Sequence, residues 1–98
     1  MQPERILCQT PTPGKQPTSI PLWKYEAVRA VILEVVPREE PGIPTTELLD
    51  WLRARLDADV QARLGSIAWH ATTVKLHMEV LGELRRVPGA RPQRLVLG

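Results

Sequence analysis

The chain has 98 residues, 13 basic against 11 acidic side chains, and a formal net charge of +2. That length bounds it to one domain with a modest core, and 43% hydrophobic with 24% charged residues is an ordinary globular balance. A lone cysteine, Cys8, excludes an internal disulfide or a cysteine-built metal centre, and no apolar run reaches the ~18 residues of a bilayer span.

Residues 1–20 read as an extended, proline-rich arm ahead of a domain over 21–98. Met1-Gln2-Pro3-Glu4-Arg5 lacks a signal-peptide pattern, and a single thiol suits a reducing compartment, so a cytoplasmic location is expected. Arg5-Ile6-Leu7-Cys8-Gln9 fits one short strand, with Cys8 a small apolar residue in it. The run Thr10-Pro11-Thr12-Pro13-Gly14-Lys15-Gln16-Pro17 excludes a helix, because its prolines remove backbone donors and hold the chain extended. A flexible tail and an arm lying across this domain or a second subunit both fit.

A first helix is expected over about 22–36, with Ser19 as acceptor near its start and Pro21 in its first turn. Tyr25, Val28, Ile32 and Val35 fall at helical spacing, with Val31 alongside; Lys24, Arg29 and Glu34 lie on the other side, and Pro37 ends the run. Ile43, between Gly42 and Pro44, fits a single edge pairing. Thr45 is expected to cap a second helix running through about residue 62. Its buried stripe is Leu48, Leu52, Leu56 and Val60, and its charged side chains form a solvated face.

Ser66 caps a third helix over 66–81, whose Ile67, Ala71, Val74, Met78 and Leu81 recur at spacings of four, three, four and three. Gly82 supplies a left-handed stop. Leu84-Arg85-Arg86 and Arg94-Leu95-Val96-Leu97 then read as two strands around the stiff turn Pro88-Gly89-Ala90-Arg91-Pro92. In the second strand Leu95 and Leu97 share one face, and Arg94 and Val96 the other. Residues 66–98 hold five basic against two acidic groups, the only marked charge excess in the chain. Such an excess suits phosphate contact, and equally suits arginines that guard a sheet edge.

Helix, short strand, helix, helix, strand, turn, strand is the order of the winged helix-turn-helix fold. Met78-Glu79-Val80-Leu81-Gly82-Glu83-Leu84-Arg85-Arg86 resembles the junction between recognition helix and wing in bacterial regulators of that superfamily. Within it the chain is similar to a group of short uncharacterised bacterial proteins. That likeness rests on Lys24-Tyr25-Glu26, Ser66-Ile67-Ala68-Trp69, Thr72-Thr73-Val74-Lys75-Leu76 and Arg86-Val87-Pro88-Gly89-Ala90-Arg91-Pro92-Gln93-Arg94-Leu95. It covers about residues 22–97 and implies an α+β, mainly α fold: three helices and a small antiparallel sheet with a C-terminal hairpin wing. A fold of this kind does not fix a function.

On such a fold the outward positions of the third helix are Trp69, His70, Thr73, Leu76 and His77, with Thr72 at the margin. His70, Thr72, Thr73 and Lys75, with Arg85, Arg91 and Arg94 of the wing, form a candidate surface for double-stranded DNA, in a small regulator that acts as a dimer. One lysine and no arginine on the helix depart from the usual base readers. Trp69, Leu76 and Val80 make a second apolar strip, which marks the helix as covered on two sides or as a surface for a protein partner or a second copy. Enzymatic chemistry has little to stand on. His70 and His77 lie ~10 Å apart along the helix axis, too far to share one metal, and read as surface histidines. Glu39-Glu40 are solvated loop residues. No cofactor, metal or membrane is expected.

Overall fold

A computed structural model describes residues 4–98. The first three residues, with the start of the 1–20 arm and most of the segment read for a signal peptide, lie outside the described residues. The fold is α+β and mainly α, with four helices and two small antiparallel sheets. In chain order it runs β1 (Arg5–Cys8), β2 (Thr18–Pro21), α1 (Leu22–Val35), β3 (Ile43–Pro44), α2 (Glu47–Arg55), α3 (Ala58–Leu64), α4 (Ile67–Val80), β4 (Leu84–Arg86) and β5 (Arg94–Leu97).

The proline-rich segment is the loop of a hairpin. β1 pairs with β2 from Arg5↔Pro21 to Cys8↔Thr18, which buries Cys8 and Ile20 against the helices. Ser19 does not cap α1: its hydroxyl accepts from Arg5 Nε at 2.9 Å, because Ser19 is committed to β2. The chain enters α1 directly from Pro21, whose missing N–H costs the first turn nothing. Tyr25, Val28, Val31 and Ile32 enter the core as the spacing predicts. The other side of α1, with Lys24, Arg29 and Glu34, is a set of clamps. Lys24 Nζ donates to Leu64 O at 3.1 Å, where α3 ends, while Arg29 pairs with Glu83 and Glu34 with Arg55.

The expected second helix is two. Leu56 and Asp57 take extended backbone (ψ 136° and 149°), and α3 starts again at Ala58. Gln61 Nε2 reaches back to Leu56 O at 2.7 Å and Arg53 O at 3.0 Å, satisfying carbonyls that the end of α2 leaves free. The break re-aims the second segment so that Leu64 is buried, while Val60 is only half-buried. Thr45 does not cap α2 either. Its hydroxyl turns to Gln93, and Thr46 is the cap residue without a side-chain bond to the helix.

α4 begins and ends on its sequence signals. Ser66 Oγ accepts from Trp69 N at 3.1 Å. At the other end Glu83 N donates to Met78 O and Gly82 N to Glu79 O, with Gly82 at φ 80°, which is the Schellman closure. The second sheet has the order β3-β5-β4, with Ile43↔Leu95 on one side and Leu84↔Leu97 on the other. Its central strand is covered on both faces. Leu95 enters the main core, and Val96 is buried rather than facing water, because the 37–42 loop folds over it. Arg94, on that same face, anchors the loop: its Nε donates to Pro41 O at 2.7 Å and its Nη2 to Gly42 O at 2.9 Å.

That cover leaves no room at Gly42. Its φ is +67°, and a Cβ there would stand 2.0 Å from Leu95 O and 2.9 Å from Val96 Cγ1. Gly42→Ala is therefore expected to cost about 2–4 kcal/mol, since strain and overlap add. Urea denaturation checks this, and a loss under about 0.5 kcal/mol, the scatter of inert substitutions, would refute the close approach.

Candidate interaction face on the central helix

α4 is the hub of the molecule. It packs against α1, α2 and α3, and also against β1 of the terminal hairpin and β4. Ala71, Val74 and Met78 are buried as the first stripe predicts and Ile67 is half-buried, but Leu81 is 57% exposed, because α4 ends at Val80 and Leu81 lies in the turn beyond it. His70, Lys75 and His77 are buried as well, at 7%, 6% and 7% exposure. The surface placement expected of both histidines is thus wrong, because five elements pack around the helix. His70 Nδ1 lies 2.7 Å from Ser66 O and its ring meets Trp69 edge-on. His77 is covered by the arm: its Nδ1 accepts the Gln9 N–H at 3.0 Å, and its ring meets Tyr25 edge-on.

Lys75 is held inside a polar chain that crosses the fold. Its Nζ donates to Gln93 Oε1 at 3.2 Å, and the same oxygen accepts from Thr45 Oγ1. One turn further on, Glu79 Oε2 stands 3.0 Å from Lys75 Nζ, with both side chains 8% exposed. That contact is within ion-pair distance but off hydrogen-bond alignment, so Glu79 Oε2 lacks a hydrogen-bonded donor; the pairing is Coulombic. Glu79 Oε1 takes Arg86 of β4. The network ties Thr45 ahead of α2, α4, β4 and Gln93 ahead of β5 together, and it holds the Lys75 side chain in the interior.

The wing arginines are similarly engaged. Arg85 pairs with Glu40 at 3.5 Å, Arg86 with Glu79, and Arg94 with the Pro41 and Gly42 carbonyls. Arg91, at the exposed tip, has no ion-pair or side-chain hydrogen-bond partner among the described residues. Thr72 is exposed and Thr73 half-buried, so they too remain at the surface. Of the seven residues grouped for DNA, the fold leaves Thr72, Thr73 and Arg91 at the surface without such ties; Arg85 is half-exposed but paired, while His70, Lys75 and Arg94 have structural partners.

The second strip does reach solvent. Trp69 is 46% exposed and Val80 40%, with Leu76 half-buried between them. Trp69, Thr73 and Leu76 form one wall of a groove of about 320 Å³; the other wall is the arm, from Cys8 and Gln9 to Thr18. The arm therefore runs beside the helix face that a major groove would have to receive. No group of three or more histidine, cysteine, aspartate or glutamate residues placed to hold a metal occurs among the described residues, and no helix there is long and apolar enough to cross a membrane.

Residues 5–95 match the family model of a family of unknown function, DUF6958. The chain belongs to this family. The matched span takes in both strands of the terminal hairpin together with the helices and most of the second sheet. No curated protein and no solved structure matches the chain.

The arm contact carries a pH dependence. Burial lowers the pKa of His77 below its ordinary 6.5, and the nearby Glu83 opposes that only in part. The unfolded chain thus takes up this proton at a higher pH than the folded one. Stability from His77 is complete above 6.5 and falls as pH drops from there toward the lowered folded value. Urea denaturation one pH unit above and one below 6.5 should show the loss, and His77→Gln should flatten it. An unchanged slope in the variant would assign the effect elsewhere.

Glu79 gives a second test. Glu79→Ala leaves the Lys75 ammonium buried without its counter-charge, a change expected to cost about 3–5 kcal/mol. Lys75→Met combined with Glu79→Leu should recover most of that in the same denaturation assay. A double variant no better than Glu79→Ala would refute the coupling.

Proposed function

We propose that this chain is a non-catalytic protein-interaction module on a winged-helix arrangement, and that it self-associates through the Trp69, Leu76 and Val80 strip of α4. The order of helices and strands after the arm supports the winged-helix reading. So does the Schellman junction at Gly82 that leads from α4 into the hairpin. The chain adds a terminal hairpin and a divided second helix to that order. A single free cysteine agrees with a reducing, cytoplasmic setting.

The observation that carries the interface is the exposure of Trp69 and Val80 on a helix that packs against five other elements. A tryptophan left half in water beside a groove of mixed polar and apolar lining is the kind of anchor that protein interfaces use. An apolar strip is self-complementary about a two-fold axis, and cyclic dimers are the commonest assemblies. A second copy is accordingly the first partner to test.

The DNA reading is weaker on the same geometry. Three of the four wing arginines are spent on carboxylates and carbonyls of the chain itself, and the arm flanks the helix that would enter the groove. Sedimentation across a wide concentration range is expected to show a dimer that Leu76→Glu dissociates. A monomer at every concentration would overturn self-association. Generic duplex DNA at low salt should bind weakly, with a shallow dependence on salt. Tight binding with a steep slope that Arg91→Ala reduces would establish the DNA reading instead.

A further inference from the structure

A second cavity, of about 250 Å³, lies between the start of α2 and the first half of α4 and shares no lining residue with the Trp69 groove. Its walls are mainly hydrocarbon: Leu48 and Leu49 from α2, Ala68 and Ala71 from α4. At 250 Å³ it falls below the range of about 300–1,000 Å³ that suits drug-sized ligands. It fits a compact aliphatic group.

One cationic side chain lines this apolar space, and it is Lys75. An ammonium has three N–H donors. Gln93 Oε1 takes one at 3.2 Å, and the contact to Glu79 Oε2 is close but not aligned as a hydrogen bond. Donor capacity therefore remains on a side chain that is 8% exposed. Glu79 also takes Arg86, whose side chain is 48% exposed, so the one carboxylate is divided between a buried ammonium and a solvated guanidinium. An incoming carboxylate would complete the hydrogen bonds of the buried ammonium. The acids of the first turn of α2, Glu47 and Asp50, do not line the cavity. Thr46 at its rim keeps a hydroxyl that does not cap the helix.

We infer that this cavity binds a small aliphatic monocarboxylate, with its hydrocarbon end among Leu48, Leu49, Ala68 and Ala71 and its carboxylate accepting a hydrogen bond from Lys75 Nζ. Occupancy would be read at the wing root, because Lys75 also holds Gln93. The inference is independent of the interface reading, since the two surfaces have no residue in common.

The experiment is a titration of the isotopically labelled full chain with cyclohexanecarboxylate, followed by NMR. Saturable shifts are expected at the methyls of Leu48, Leu49, Ala68 and Ala71 and at the Gln93 side-chain amide. The neutral cyclohexanecarboxamide should bind at least about tenfold more weakly, the equivalent of about 1.4 kcal/mol. Lys75→Met should abolish the preference for the acid. Ala68 is exposed at the mouth of the cavity, so Ala68→Leu should block binding while leaving the spectrum of the fold intact. It keeps the test decisive if Lys75→Met fails to fold. Shifts that do not saturate, an amide that binds as well as the acid, or undiminished binding to Ala68→Leu would each overturn the inference.

Discussion

α4 carries apolar side chains on two sides, and a helix of that kind leaves water only where two layers cover it. α1 and α2 cover the first side, and the terminal hairpin lies along part of the second. Most of what is unusual in the structure answers to that demand. The proline-rich arm folds back as β1 and β2 instead of trailing. His77 becomes a buried acceptor for the arm's backbone, and Trp69 is left at the edge where the cover ends.

Polar groups follow the same enclosure. Once five elements surround α4, a lysine and a glutamate one turn apart lose their solvent and must satisfy each other and their neighbours. Glu79 joins Lys75 to Arg86, and Gln93 joins Lys75 to Thr45 just ahead of α2. The hairpin is thereby fixed to the helix by charge as well as by Leu84 and Leu95. The same economy of partners engages three of the four wing arginines, Arg85, Arg86 and Arg94, and leaves Arg91 without an ion-pair or side-chain hydrogen-bond partner among the described residues. It also leaves Lys75 with spare donor capacity beside an apolar cavity.

Local signals on the sequence were reliable wherever one residue decides a backbone geometry. Ser66 and Gly82 mark the ends of α4, Pro37 follows the end of α1, and the strands 84–86 and 94–97 stand where their alternation put them. The division of the second helix was harder to see. Leu48, Leu52, Leu56 and Val60 continue one periodicity, and the break depends on Gln61 reaching back to the Leu56 and Arg53 carbonyls. Asp57, a residue at home before a helix, was the one local hint. Thr45 and Ser19 looked like caps by type, but strand pairing and Gln93 had first claim on them.

The sequence by itself determined the α+β class, the ends of the central helix, the first core stripe as far as Met78 and the hairpin, while Leu81 at the end of that stripe is exposed. These rest on periodicity and on residues whose own backbone preferences act locally. Tertiary structure alone decided which of these residues stay in water: His70, Lys75, His77 and Val96 are enclosed, while Trp69 and Val80 are not. No periodicity encodes that outcome, because it depends on where the arm and the 37–42 loop come to rest, and both are placed by contacts with residues far away in the chain.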